Sequence, residues 1–300
     1  MEPLASSVRA SDGQPIAVRW FEASKTARRG VTVVVAPGTA IPQRFYGSFA
    51  AYLAENGFDT ITFDFRTVGE SKVADLRTTD STYVHWGTLD FPAVIDMCRE
   101  RFSGQPIYVV GHSAGAWLLA IHPRHRAIAG LLAISSMSGY WGDIGRPDRY
   151  KQWLTWTALI PVVTRLWGYV PGSFGLGQDM PSSHMRQWAR WCLDPQFMFA
   201  DPEVRALDVS AEYRGRLGVV LVEDDNWARP RAVRAVYDRF VRAETSTLEV
   251  GRANTAGQAI GHFGFFRPKF RDSLWPVALE WLIQASRDAG DSPARASDAI

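Results

Sequence analysis

Pro106-Ile107-Tyr108-Val109-Val110-Gly111-His112-Ser113-Ala114-Gly115-Ala116-Trp117-Leu118-Leu119 is the stretch from which the rest of the chain can be ordered. A β-branched run leads into Gly-x-Ser-x-Gly, and a segment of helical character follows. The pattern predicts a strand that turns sharply into a helix and lifts Ser113 above the strand's C-terminal end. Gly111 and Gly115 read as steric necessities, because the turn brings the backbone on either side of the serine together. The helix beginning at the serine aims free N–H groups and a positive dipole end at whatever lies above it. Gly-x-Ser-x-Gly alone is a motif that chance supplies often, so the flanking sequence has to decide.

Upstream, residues 4–10 and 16–22 alternate apolar and polar about Asp12-Gly13, a hairpin at a sheet edge. Residues 31–36 are a continuous, mostly valine β-branched run of the kind buried on both faces of a parallel sheet. A helix over 44–56 stopped by Gly57, a strand over 59–64 and a helix over 89–102 come before the Ser113 turn. Downstream, strands are expected at 127–134, 217–222 and 246–250, and helices at 230–242 and 273–286. This rhythm predicts an α/β fold with a doubly wound, mostly parallel sheet, its core formed by residues 1–134 and 216–287. The rhythm breaks over 135–215, which carries six of the twelve tryptophans and reads as an inserted, mainly helical cap. Residues 288–300 are small and polar and read as a disordered tail.

Composition narrows the classes. The net charge of +2, with signs interspersed, carries no nucleic-acid signature. Cys98 and Cys192 fit neither a metal spacing nor a disulfide framework, which agrees with a reduced, cytoplasmic setting. Residues 1–14 lack the basic start and apolar core of a secretory leader, and no apolar run is long enough to span a bilayer. No cofactor or metal is expected. Oligomeric state is not legible.

A serine hydroxyl attacks at neutral pH only if a base takes its proton and a further group holds that base in the right tautomer. The strand at 217–222 runs into Glu223-Asp224-Asp225, at the sheet end where functional groups gather. Turn length favours Asp225 as the acid, with Asp224 as the alternative and Glu223 as a strand-end residue. Of six histidines, His262 alone follows the last core strand, in Gly261-His262-Phe263-Gly264-Phe265-Phe266, as a shielded base requires. His112 reads as buried packing, His122 and His125 as surface residues; His85 precedes a helix and His184 lies in the insertion. An oxyanion would be met by the N–H of Ala114 and by a second donor after the 31–36 strand, Thr39 or Ala40. Tyr140 and Trp141, nearest the point where the insertion leaves the core, are candidates to line an acyl pocket.

Together these residues resemble the α/β-hydrolase superfamily over about residues 5–287. The likeness rests on the Ser113 turn, Asp225, His262, and Asp64-x-Arg66 with Gly69-x-Ser71, where Thr67 stands in place of a common glycine. More narrowly, Gln43-Arg44-Phe45-Tyr46, Ser138-Gly139-Tyr140-Trp141, Gly168-Tyr169-Val170-Pro171-Gly172 and Trp188-Ala189-Arg190-Trp191-Cys192 are similar to a bacterial group of serine-aminopeptidase-like hydrolases. The resemblance implies a Ser-Asp-His hydrolase and leaves its substrate open. A small-molecule ester, thioester or amide is expected. An acyltransferase using the same acyl-enzyme and a ligand-binding protein on an inactive hydrolase fold are the alternatives.

Overall fold

In the computed structural model, which describes residues 3–175 and 177–291, eight strands form one sheet. They are β1 (Leu4–Arg9), β2 (Pro15–Phe21), β3 (Thr32–Ala36), β4 (Asp59–Phe63), β5 (Ile107–His112), β6 (Ile128–Ile134), β7 (Arg216–Val222) and β8 (Glu244–Val250). Their spatial order is β1-β2-β4-β3-β5-β6-β7-β8. β1 and β2 form the expected hairpin, with Gly13 at φ +86° supplying the turn. β2 meets β4 antiparallel, and every ladder from β4 to β8 is parallel.

The uninterrupted apolar character of the central strands follows from cover on both faces. Val33, Val35, Tyr108 and Val110 point to the side packed by helix Gly47–Glu55 and the C-terminal helix, through Phe49, Leu53, Trp275 and Leu282. Their alternates Val34, Ala36 and Val109 point to the side packed by helix Phe91–Arg101, through Phe91, Val94 and Ile95. Burying a side chain of this size contributes roughly 1.5–3 kcal/mol, so alternate residues of one strand hold two helical layers.

Between β6 and β7 the chain leaves the sheet. Helices Asp148–Leu154, Ile160–Trp167, Ser182–Leu193 and Pro202–Leu207 follow, with a two-residue antiparallel pair, Tyr169–Val170 with Met180–Pro181. The segment is tied to the sheet-bearing part by Tyr83 N–H to Gln187 Oε1 (2.9 Å), Gly69 N–H to Gln178 Oε1 (2.7 Å) and an Arg231–Asp143 ion pair (2.8 Å). Trp191 is buried against Tyr83, Trp117 and Phe197.

Some local expectations need correction. The helix after β7 is Pro230–Tyr237, shorter than expected, and β8 begins at Glu244. The last helix, Trp275–Asp291, continues into the stretch read as a disordered tail; residues 292–300 lie outside the described residues. His122 and His125 are buried, not surface residues: the His122 ring packs edge-on against Phe91 at 4.6 Å. Cys98 and Cys192 are buried free thiols.

Candidate active site

The turn after β5 holds Ser113 at φ +49°, ψ −116°, a conformation costly for a non-glycine residue. It is pinned from both sides. Its N–H donates to the Ile134 carbonyl at 3.0 Å, and its carbonyl accepts the Ser136 hydroxyl at 2.7 Å, itself bonded by Tyr237 at 2.6 Å. Both glycines are required for space, with different neighbours. A Cβ on Gly111 would lie 2.6 Å from the Ala116 Cα, across the turn as expected. One on Gly115 would lie 2.3 Å from the carbonyl oxygen of Ala36, so there the close neighbour is the end of β3.

Three residues predicted separately meet here. His262 Nε2 lies 3.2 Å from Ser113 Oγ, and His262 Nδ1 lies 2.8 Å from Asp225 Oδ2. The other Asp225 oxygen accepts the N–H groups of Trp227 (3.0 Å) and Ala228 (3.1 Å). Burial pushes the Asp225 carboxyl upward, but His262 and those two N–H groups outweigh it and hold the group below the usual carboxylate range. An ionised Asp225 accepts from Nδ1–H, which leaves Nε2 with its lone pair toward the serine hydroxyl.

The adjacent acid does something else. Asp224 accepts the N–H of Gly261 (2.7 Å) and of Ile260 (3.0 Å), fixing the backbone just before His262. Gly261 takes φ +63° in that turn. Consecutive carboxylates thus hold the histidine side chain and the histidine backbone.

Among candidate oxyanion donors, Ala114 opens the helix after the serine, so its N–H has no intrahelical acceptor. In the loop after β3, Ala40 is buried at φ +58° and Thr39 Oγ1 accepts the Tyr83 hydroxyl at 3.2 Å. Tyr140 and Trp141 lie edge to face at 5.9 Å, half-buried. Among the described residues no hydrogen bond or ring contact joins either to Ser113, Asp225 or His262.

Two further residues of the site were missed by the sequence reading. His112 is fully buried, and it is bonded rather than merely packed. Its Nε2 lies 3.0 Å from the His262 carbonyl oxygen, and its Nδ1 lies 2.7 Å from the Tyr46 hydroxyl, which also accepts the Gly38 N–H at 2.9 Å. Burial, then the neighbouring His262, push the His112 pKa down to about 3, so the ring is neutral. A carbonyl only accepts; Nε2 therefore carries the proton and Nδ1 accepts from Tyr46. The resulting chain links the loop after β3 to the His262 turn beneath the serine. Trp227 tilts over the His262 ring at 4.9 Å. Its position two residues past Asp225 is a signal that could have found it.

A mostly parallel sheet in this strand order, with a serine on a strained turn at the end of β5, defines the α/β hydrolases that work through a serine. Residues 27–217 match the family described as serine aminopeptidase, S33. The chain belongs to that family. No curated protein matches the sequence. Solved structures share the fold at low identity. A soluble variant of monoglyceride lipase from Saccharomyces cerevisiae, in complex with a substrate analogue, has a TM-score of 0.69 at 13% identity, covering 95% of this chain and 96% of that one. An esterase from Exiguobacterium antarcticum has 0.61 at 14%, covering 93% and 100%. A thermophilic esterase from Thermogutta terrifontis has 0.59 at 14%, covering 95% and 100%.

Proposed function

We propose that this serine hydrolase cleaves a carboxylic ester through an acyl-enzyme on Ser113. The observation that carries the reading is the hydrogen-bonded line Ser113 Oγ–His262 Nε2, His262 Nδ1–Asp225 Oδ2 at the strained turn. Ser113 Oγ attacks the ester carbonyl as His262 Nε2 takes the hydroxyl proton, and Asp225 stabilises the imidazolium. The carbonyl oxygen becomes an oxyanion facing the N–H groups of Ala114 and of Thr39 or Ala40. The C–O bond to the alcohol breaks, and the leaving oxygen takes the proton from His262. Water, deprotonated by the same nitrogen, then releases the acid and restores Ser113. Residues 135–215 act as a cap over the serine, with Tyr140 and Trp141 on the acyl side. Esterases and a monoglyceride lipase among the structures of like fold support an ester over an amide.

The test is turnover of p-nitrophenyl esters of graded chain length. With an apolar acyl pocket, kcat/KM rises from acetate toward medium chains by about fourfold per buried methylene, the equivalent of roughly 0.8 kcal/mol. No turnover of any ester, from folded protein, would overturn the proposal. Preferential transfer of the acyl group to an added alcohol or amine would identify an acyltransferase.

A further inference from the structure

The insertion exposes what the rest of the surface hides. Among the described residues, eight of the eleven large hydrophobic side chains that face solvent fall between residues 150 and 174. Most lie on one helical rod, Asp148–Leu154 continuing through a π turn, Thr155–Leu159, into Ile160–Trp167. Along it Tyr150, Leu154, Leu159, Val162 and Leu166 are 55, 55, 37, 54 and 70% exposed. Their spacing is four, five, three and four residues. The step of five falls across the π turn, which absorbs the extra residue and keeps the row on one face. The opposite face, with Trp156, Ile160 and Val163, is buried. The rod is therefore apolar on both sides, and a surface row of this length marks an interaction site.

Its charge and aromatic content say what it meets. Residues 146–167 hold Arg146, Arg149, Lys151 and Arg165 against the single acid Asp148, a net charge of +3. Arg149 is half-buried and donates to the Gly142 and Ile144 carbonyls, so Arg146, Lys151 and Arg165 are the exposed cations. Asp148 is occupied by Asn226 Nδ2 at 2.5 Å, while Lys151 and Arg165 are exposed. Trp153 and Trp167 are 45 and 46% exposed, and Arg77 lies at the far end of the rod, bonded to the Trp167 carbonyl and stacked on Tyr169. An aliphatic row with aromatic and basic residues beside it is the composition of a helix that lies in a bilayer interface. No helix among the described residues is long and apolar enough to cross a membrane.

We propose that the outer face of the 148–167 rod is a docking surface for an anionic lipid bilayer, on which the protein lies with Leu154, Val162 and Leu166 in the acyl boundary. Docking of this face is independent of ester cleavage.

Sedimentation of the full chain with vesicles tests it. The expected result is stronger binding to phosphatidylcholine mixed with phosphatidylserine than to phosphatidylcholine alone, weakening as salt is added. Replacing Leu154, Val162 and Leu166 by Ser together is expected to lower the partition coefficient at least about tenfold. Melting temperature and hydrolysis of soluble p-nitrophenyl acetate are expected to stay unchanged. Lys151→Glu with Arg165→Glu is expected to remove the preference for anionic vesicles, each lost cation weakening binding roughly fivefold. Absence of binding to either vesicle, or equal binding by the triple-Ser variant, would overturn the proposal. So would a dimer in sedimentation velocity that the triple-Ser variant dissolves, since the face would then belong to a second copy of the chain.

Discussion

Tyr46→Phe removes one oxygen from the chain that runs beneath the serine, and its cost can be worked from the structure. The Tyr46 hydroxyl is fully buried, accepts from Gly38 N–H at 2.9 Å and donates to His112 Nδ1 at 2.7 Å. Phenylalanine fills the same space, so no cavity opens, but a buried N–H and a buried ring nitrogen lose their partner. Each such orphan costs about 1–3 kcal/mol, giving a destabilisation of roughly 2–6 kcal/mol. The orphaned groups sit at the loop that carries the oxyanion candidates and behind the His262 carbonyl, so loosening reaches both. Small displacements of reacting groups cost about ten- to a hundredfold in rate, and kcat is expected to fall by that much with KM nearly unchanged. Urea unfolding and p-nitrophenyl ester kinetics read the two effects. Adding His112→Leu to Tyr46→Phe removes the second partner of the same bond, and the two losses are expected to be sub-additive by about 1–3 kcal/mol. A destabilisation below about 0.5 kcal/mol with unchanged kcat, or strict additivity, would rule out a coupled role for the Tyr46–His112 hydrogen bond.

The two neighbouring acids separate by role: Asp225→Asn is expected to lower kcat by on the order of 10³–10⁴, whereas Asp224→Asn, which only loosens the backbone before His262, costs far less. Steady-state kinetics decide, and the reverse ranking would exchange the roles. Thr67 is buried at φ +75° with its hydroxyl unpartnered among the described residues, so Thr67→Gly removes strain of roughly 1–3 kcal/mol and an orphaned oxygen. These exceed the methyl burial and chain entropy that are lost, and the melting temperature is expected to rise; a fall would contradict the assigned strain. Burial first, then the neighbouring His262 and His125 respectively, depress His112 and His122 to about 3 each, so between pH 6.5 and 3 the unfolded chain binds more protons than the folded one. Their contribution is fully present above pH 6.5 and is lost on acidification, at on the order of 1 kcal/mol per pH unit for each ring. Urea titrations at pH 6.5 and 5 measure the slope, and equal stabilities at the two values would rule it out.

The fold class was legible because several constraints fell on short stretches. The valines of β3 pointed to a strand covered on both faces, and the β-branched run before Gly111 together with the helical segment after Gly115 gave the glycine spacing around Ser113 its meaning. The acid was harder, since a one-residue shift from Asp225 to Asp224 changes which way a carboxylate points, and composition does not record direction. His112 could be read as buried, but its partners lie 66 and 150 residues away, where no local pattern reaches. His122 and His125 misled for the opposite reason. Pro123, Arg124 and Arg126 around them spell an exposed turn and do face water, yet the turn folds so that His122 and His125 point inward and His122 meets Phe91. The insertion was visible as a break in rhythm and a run of tryptophans. Trp153 and Trp167 face solvent while Trp156 between them is buried, an arrangement that runs through the π turn Thr155–Leu159, which has no sequence signature.

If the Ser113 hydroxyl carries the covalent chemistry, it can be trapped as a stable adduct. The protein is treated with a fluorophosphonate, digested, and the modified peptide sequenced by mass spectrometry. The expected result is one phosphonylated residue, Ser113, stoichiometric labelling that parallels loss of ester hydrolysis, and neither labelling nor hydrolysis in Ser113→Ala. Labelling at another residue, or hydrolysis by Ser113→Ala within tenfold of the parent protein, would contradict it.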